Sequence, residues 1–272
     1  MLGSALRLPA IGLGFFLSCL SLAVAAPRAE PWPRWERHDP ASTLTVDHST
    51  WDRFLTAHMS ASPDGIHRLA YGRVSAETRI RLASYIERLS ASPVDRLARD
   101  EQRAFWINLY NALTVKTVLD AYPVKSIRDI RISPGLFSSG PWGKKLVKVA
   151  GEEISLDDIE HRILRPLWRD PRLHYALNCA ALGCPNLMRA AFTASNTETL
   201  LEEGARTFVS HPRGARLENG RLIVSSIYTW FREDFGGSDA AVIEHLKRYG
   251  AAIGGHVRID SDGYDWSLND VR

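Results

Sequence analysis

The residues best suited to chemistry in this chain lie between positions 170 and 185, where a histidine and two cysteines are spaced His-x4-Cys-x4-Cys. They are His174, Cys179 and Cys184. The apolar run from Leu173 to Asn178 predicts a short buried strand that delivers Cys179 to a turn or a helix start. Backbone N–H groups and a helix dipole at such a place favour the nucleophilic thiolate. We therefore take Cys179 as the candidate nucleophile.

Two alternatives remain open for these sulfurs. A Cys179–Cys184 disulfide requires Cα atoms about 4.4–6.8 Å apart and makes no demand on a histidine. A nucleophile instead needs a base near the sulfur, within about 5 Å. A zinc site formed with His161 and His174 is a loose match, because Cys-x4-Cys lacks a second paired motif. The sequence therefore predicts no metal and no cofactor.

His161 is the candidate base for Cys179. On a strand, His174 and Cys179 would point to opposite faces, so His174 is poorly placed despite its proximity in sequence. His161 comes from a separate element, a helix expected over residues 156–167. We expect its ring within about 5 Å of the Cys179 sulfur, where the two elements meet at one end of the sheet.

Glu160 precedes that histidine and falls inside the apolar stripe of the same predicted helix, whereas His161 lies beyond its edge. A carboxylate on an apolar face must be paired or have its pKa shifted. Glu160 and His161 are thus a candidate acid–base or orienting pair. The alternative is a salt bridge from Glu160 to an arginine such as Arg103 or Arg172.

A central helix supplies two amides. Residues Glu101 to Leu119 are apolar nearly all round, which predicts a helix buried on every side. Asn108 and Asn111 are three apart, share one stripe and need hydrogen-bond partners. One of them could orient a histidine or donate to an oxyanion. Alternatively, both tie loops to the helix.

Caps and turns mark the other elements. Asn219-Gly220 and Ala150-Gly151 predict two hairpins, each leading into a helix. Ser155 and Asp158 form a capping box for the second of those helices. Further helices are expected over residues 49–58, 75–89, 197–210, 227–234 and 238–249, and one or two strands over 256–268. The predicted fold is α+β, a single helix-rich domain with a buried central helix and a small antiparallel sheet.

The N-terminus predicts a signal peptide over residues 1–25. The apolar run Ile11 to Val24 ends in Ala23-Val24-Ala25, which fits the small-x-small cleavage rule. An uncleaved anchor is the alternative, and nothing else in the chain could span a bilayer. Residues 26–48 are expected to be an irregular lead-in, and residues 49–270 the single domain. The mature protein is then periplasmic or secreted, a compartment that favours disulfides.

Composition narrows the function classes further. The 272 residues are 45% hydrophobic and 24% charged, with a formal net charge of +3. These values exclude a disordered chain, a coiled coil and a collagen-like repeat. The small net charge does not indicate the strongly basic surface that nucleic-acid-binding proteins have. The expected partner is a small molecule or an envelope protein.

Seven segments of the chain, in order, resemble the domain of unknown function 547 family. They are Ala104–Leu113, Leu156–His161, Ile163–Arg165, His174–Cys179, Gly183–Pro185, Tyr228–Phe235 and Tyr264–Asn269. The similarity extends over residues 45–270, and its most distinctive marks are the helix carrying Asn108 and Asn111 and the His-x4-Cys-x4-Cys-Pro segment. The resemblance implies that the candidate residues belong to the family's characteristic set, but it supplies no reaction.

Two functions from different classes follow. The first is a thiol-dependent hydrolase or acyltransferase, in which Cys179 is the nucleophile, His161 the base and Glu160 the orienting group. Asn108 or Asn111 would then donate to an oxyanion or orient a side chain, and His174 completes the candidate set. The second is a non-catalytic envelope protein that binds a small molecule or a partner and carries a structural Cys179–Cys184 disulfide.

Overall fold

The computed structural model describes residues 27–135 and 138–271, and its core surrounds one long helix. Helix α3 spans Arg99–Ala121, and all but five of its residues are buried. It begins two residues before and ends two residues after the predicted limits. An apolar surface on every side is stable only when neighbouring elements enclose it. The buried central helix is therefore confirmed.

Six further α-helices lie within the described ranges, and most of them match the predictions. Ser75 begins α2 by accepting the Thr78 N–H at 3.2 Å, and Ser238 begins α7 by accepting the Ala241 N–H at 3.2 Å. These are the N-cap interactions expected of serine. The helices are α1 Ser49–His58, α2 Ala76–Ser90, α4 Arg165–Trp168, α5 Thr197–Ser210, α6 Ser226–Trp230 and α7 Asp239–Arg248.

The strands form three small sheets, where the sequence predicted one. Both predicted hairpins are confirmed, but the β1–β2 hairpin was not predicted. Strand β7 pairs in parallel with β6, which the expected antiparallel sheet did not include. The strands are β1 Met59–Ala61, β2 His67–Leu69, β3 Val147–Val149, β4 Glu152–Ile154, β5 Ala215–Glu218, β6 Arg221–Ser225 and β7 Ser261–Gly263. The α+β class is confirmed.

A π-helix over Asp158–Leu164 leads directly into α4. The predicted Ser155–Asp158 capping box is present: the Ser155 N–H donates to the Asp158 carboxylate at 2.8 Å, and the Asp158 N–H donates to Ser155 Oγ at 3.1 Å. The predicted helix over residues 156–167 is present, but its middle part, Asp158–Leu164, is a π-helix and not the α-helix assumed for the positions of Glu160 and His161, because i→i+5 bonding widens the turn. In this wider helix Glu160 and His161 are both buried.

The predicted strand over residues 173–178 is also wrong. A 3₁₀ helix spans Pro171–Tyr175, and the chain then continues without regular structure to Cys179. Asp170 starts the helix by accepting the Arg172 N–H at 2.9 Å, and Pro171 occupies its first position. Both are helix-start signals. The strand faces assigned to His174 and Cys179 therefore do not apply.

The lead-in before α1 is irregular except for a 3₁₀ turn over Pro33–Glu36. It packs on the π-helix, since the Glu30 N–H donates to the His161 carbonyl at 2.9 Å and the Pro27 carbonyl accepts from Arg165 at 2.7 Å. The predicted signal peptide lies outside the described residues. Within the described ranges, no helix has the length and apolar character needed to cross a membrane.

Candidate functional site

A pocket of about 570 Å³ opens beside the π-helix. Side chains that pack on both hydrophobic clusters of the core contribute to its lining. Its most distinctive part is a group of five partly exposed rings, which we call the aromatic wall: Trp142, Trp230, Phe231, Tyr264 and Trp266. Three of these rings contact one another, with centroids 4.6–5.6 Å apart among Trp230, Tyr264 and Trp266.

The C-terminal tail places two of those rings. After β7, the tail pairs with residues 179–184, which we call the cysteine loop. The Leu182 N–H donates to the Ser267 carbonyl and the Gly183 N–H to the Asp265 carbonyl, both at 2.8 Å. A Cβ atom at Gly183 would lie 2.7 Å from the Asp265 nitrogen, so only glycine allows this approach. The pairing brings Tyr264 against the sulfurs.

Cys179 and Cys184 form a disulfide on the pocket lining, with Cα atoms 6.2 Å apart. Cys184 Sγ accepts hydrogen bonds from the Cys179 N–H at 2.9 Å and from the Tyr264 hydroxyl at 3.0 Å. The same hydroxyl lies 2.9 Å from Cys179 Sγ. Of the two alternatives for these cysteines, the structure contains the disulfide.

His161 also lines the pocket, but its hydrogen bonds do not suit a general base. Arg165 lies 3.0 Å from His161 Nδ1, and a guanidinium can only donate, so Nδ1 must accept. Burial lowers the pKa of His161, while Glu160 acts in the opposite direction and Arg165 lowers the pKa further. The neutral ring then carries its proton on Nε2, which lies 3.7 Å from Asp157 Oδ1. Neither nitrogen has a free lone pair for a thiol proton.

The expected contact between His161 and Cys179 is absent from the hydrogen bonds of the described chain. The polar partners of the two sulfurs there are the Cys179 N–H and the Tyr264 hydroxyl. His161 and Cys179 nevertheless line the same pocket. The arrangement itself supports a hydrogen-bond donor at His161.

Glu160 and His174 line the pocket and belong to a polar network that continues behind it to Asp234 and Arg165. The Tyr110 hydroxyl donates to Glu160 Oε2 at 3.1 Å, and Glu160 Oε1 lies 3.7 Å from His174 Nδ1. His174 Nε2 contacts Asp234 Oδ2 at 2.7 Å. Arg165 forms two hydrogen bonds with the same Asp234 carboxylate, at 2.6 and 3.1 Å.

This network decides between the alternatives for Glu160 and sets the ionisation state of Asp234. The alternative salt bridge of Glu160 to Arg103 or Arg172 is wrong, because both arginines pair with Glu198. Burial alone would raise the pKa of Asp234, but hydrogen bonds from His174 and Arg165 hold it well below its usual value. Asp234 is therefore ionised and fixes the His174 ring.

Asp157 is the most exposed carboxylate of the pocket, with 40% of its side chain accessible. The pocket walls still remove enough water to raise its pKa to about 6, and Glu160 and Asp158 contribute by repulsion. Its charge consequently changes close to neutral pH.

Asn108 and Asn111 do not line the pocket. Asn108 donates to the Phe192 carbonyl at 2.7 Å and accepts the Phe192 N–H at 3.0 Å. Asn111 donates to the Ala176 carbonyl at 2.8 Å and accepts the Asn178 N–H at 2.9 Å. Both amides thus tie loops to α3, as one alternative expected, and we assign neither an oxyanion role.

Sequence reasoning missed three residues that shape the site, namely Asp157, Asp234 and Tyr264. Asp157 directly precedes the capping residue Asp158, and Tyr264 lies in a tail segment of the family resemblance, but neither signal gives a distance to the pocket. Across residues 27–135 and 138–271, no group of three or more His, Cys, Asp or Glu side chains is arranged to hold a metal ion.

Comparison with known proteins gives one match. Residues 94–209 match the family described as "Protein of unknown function, DUF547". This segment includes α3, the π-helix and the cysteine loop. No curated protein and no solved structure is significantly similar to the chain. The match over residues 94–209 supports the resemblance to the DUF547 family of proteins of unknown function.

Proposed function

We propose that this protein is an exported ligand-binding protein whose pocket takes a small organic cation. The observation that carries the proposal is the joint presence of the aromatic wall and two carboxylates, Asp157 and Glu160, in one pocket of about 570 Å³. Ring faces attract cations, and organic ammonium groups are recognised by aromatic cages of this kind. A pocket of this volume matches the size of small-molecule sites.

The charges of the pocket favour the same ligand class. Asp157 and Glu160 contribute −2 and Arg128 contributes +1, so the lining carries a formal charge of −1 apart from its two histidines, His161 and His174. Arg128 lies over the Trp266 ring at 5.3 Å, at the edge of the wall. The Arg165 and Asp234 charges cancel each other behind the lining. An ammonium ligand is thus attracted by both the rings and the net field.

The experiment compares choline with its neutral carbon isostere, dimethylbutanol, by calorimetry and by quenching of tryptophan fluorescence. We expect choline to bind several-fold more tightly, since a desolvated cation–aromatic contact contributes about 1–2 kcal/mol. Asp157→Asn should weaken choline binding about fivefold. Asp95→Asn is the matched control, because Asp95 pairs with Arg34 and does not line the pocket. Equal affinity for the two probes would refute the proposal.

A thiol-dependent hydrolase or acyltransferase is the second candidate, favoured by the shared pocket lining of Cys179 and Asp157. It requires reduction of the disulfide. It also requires a base other than His161, and Asp157, with its pKa of about 6, has the appropriate basicity. Hydrolysis of an activated thioester by the reduced protein, lost in Cys179→Ser, would support this candidate over pure binding.

A further inference from the structure

The Cys179–Cys184 disulfide differs from an enclosed structural bridge in its access to the pocket. Cys179 is partly exposed and lines the cavity, whereas Cys184 is only 3% exposed. We propose that this disulfide is redox-active and exchanges with small thiols that enter the pocket, with Cys179 forming the mixed disulfide. This activity is independent of the cation-binding proposal, although it uses the same opening.

The hydrogen bonds at Cys184 prepare it to leave as a thiolate. Cys184 Sγ accepts the Cys179 N–H at 2.9 Å, and this donor distinguishes it from Cys179 Sγ. The Tyr264 hydroxyl lies between the two sulfurs, 3.0 Å from Cys184 Sγ and 2.9 Å from Cys179 Sγ, and can donate to Cys184 as its charge develops. Burial raises the pKa of Tyr264, so its hydroxyl keeps the proton and remains a donor. Hydrogen bonds of this kind favour the ionised sulfur, and a more stable leaving thiolate departs faster.

The exchange balances in two steps. In the first step, the thiolate of a small thiol attacks Cys179 Sγ and forms a bond with it. The Cys179–Cys184 bond breaks, and its electron pair stays on Cys184 Sγ. A second small thiolate then attacks the sulfur of the first, which releases a symmetric small disulfide and leaves a thiolate on Cys179. The two protein thiolates take up the two protons lost by the small thiols. Two small thiols are oxidised and the protein disulfide is reduced.

The loop around the disulfide has other supports, so the fold does not depend on this bond alone. Asn178 donates to the Pro185 carbonyl and accepts the Ala180 N–H, at 2.8 and 2.9 Å. Asn111 and the backbone of the tail hold the same loop. The bridge also spans a sequence separation of only 5, and short loops gain least from a disulfide. Reduction should therefore leave the pocket folded.

The experiment equilibrates the full-length mature protein with glutathione buffers of graded redox ratio, traps it by alkylation, and measures intact mass. We expect a reversible two-electron transition while near-ultraviolet circular dichroism stays native. In Cys184→Ser, glutathione disulfide should form a mixed disulfide at Cys179. In Cys179→Ser, the buried Cys184 should stay largely unmodified. Resistance of the native wild-type disulfide to glutathione would overturn the proposal.

Two further measurements keep the test decisive. If a serine variant is unfolded, the first alkylation site of the reduced, native wild type decides, and preferential labelling of Cys184 over Cys179 would contradict the proposed order. Tyr264→Phe should slow reduction by glutathione at least several-fold. Tyr228→Phe is its matched control, because that buried hydroxyl pairs with Tyr175 away from the sulfurs. Equal rates in the two variants would refute the role of Tyr264.

Discussion

The Asp157 carboxyl combines exposure to the pocket with a pKa of about 6, so a single proton controls much of the local charge. We predict that choline affinity increases as the pH rises from about 5 to about 7, because the carboxylate forms over this interval. In Asp157→Asn the affinity should be low and flat across the same interval. Calorimetric titrations at several pH values measure this, and an unchanged pH profile in the variant would contradict it.

The same group should affect stability. The pKa of Asp157 rises from an ordinary 3.8 to about 6 on folding, so the folded state binds the proton more tightly. Its contribution is therefore most favourable below about pH 4 and is lost as the pH rises through about 6. We predict that Asp157→Asn has a higher Tm than the wild type at pH 7 and that this difference disappears near pH 4. Asp95→Asn supplies the matched change of charge outside the pocket.

Substitution of either central asparagine should lower the stability of the protein, in contrast to Asp157→Asn at pH 7. Replacing Asn108 or Asn111 by Leu leaves a buried N–H and a buried carbonyl without partners, which should lower the free energy of unfolding by about 1–3 kcal/mol. Urea unfolding measures the loss. Because the Asn108 side chain bonds to Phe192 and does not line the pocket, Asn108→Leu should not change choline affinity if the protein remains folded. A loss of affinity at full stability would show that Asn108 acts on the pocket.

Single residues were predictable from sequence where burial alone decides their surroundings. An amide on a wholly apolar helix must find a partner, and both asparagines do. The role of His161 was not predictable in this way. Its tautomer depends on Arg165, which lies one turn further along the same helix.

At the scale of elements, the capping box at Ser155 starts the helix that carries Glu160 and His161. Ser155→Ala removes the acceptor of the Asp158 N–H, which should cost about 0.5–2 kcal/mol of stability. We also expect weaker choline binding, because the pocket face of the π-helix depends on this start. Thermal unfolding and titration measure the two effects. Ser238→Ala, which removes the cap of α7, is a matched control with a stability loss and no binding loss.

Local signals predicted most elements because they act within a few residues. Asn219-Gly220, Ser75 and Ser238 each lie at the turn or helix start that their chemistry favours. The segment 173–178 was misassigned because a short apolar run has no period that separates a buried strand from a helix. Its decisive signal was the Asp170-Pro171 start. A π-helix leaves no comparable mark, so residues 158–164 were expected to be α-helical.

At the scale of the whole molecule, the pocket combines side chains that lie far apart in sequence. One pocket is lined by Asp157, Cys179, Trp230 and Trp266. Trp266 reaches it because the tail returns to the cysteine loop after β7. No spacing rule predicts such a meeting. The resemblance to a family identified the segments but not their mutual distances.

Export is the prediction that belongs to the whole chain. We expect cleavage after Ala25, because the apolar run ends in Ala23-Val24-Ala25. N-terminal sequencing of the protein from its native host should begin at Ala26. Recovery of an intact Met1 from cytoplasmic protein would contradict export and, with it, the oxidising compartment assumed for the disulfide.

Pro27 contributes to the pocket lining and binds Arg165 through its carbonyl, only two residues beyond the expected cleavage site. If cleavage follows Ala25 as we expect, maturation would affect the edge of the proposed ligand pocket. The mature chain would then begin one residue before Pro27, whereas in the precursor the apolar leader would precede this residue. Cleavage would therefore change the charge beside the cavity, because a new amino terminus is cationic, and the precursor and the mature chain should differ in their affinity for choline.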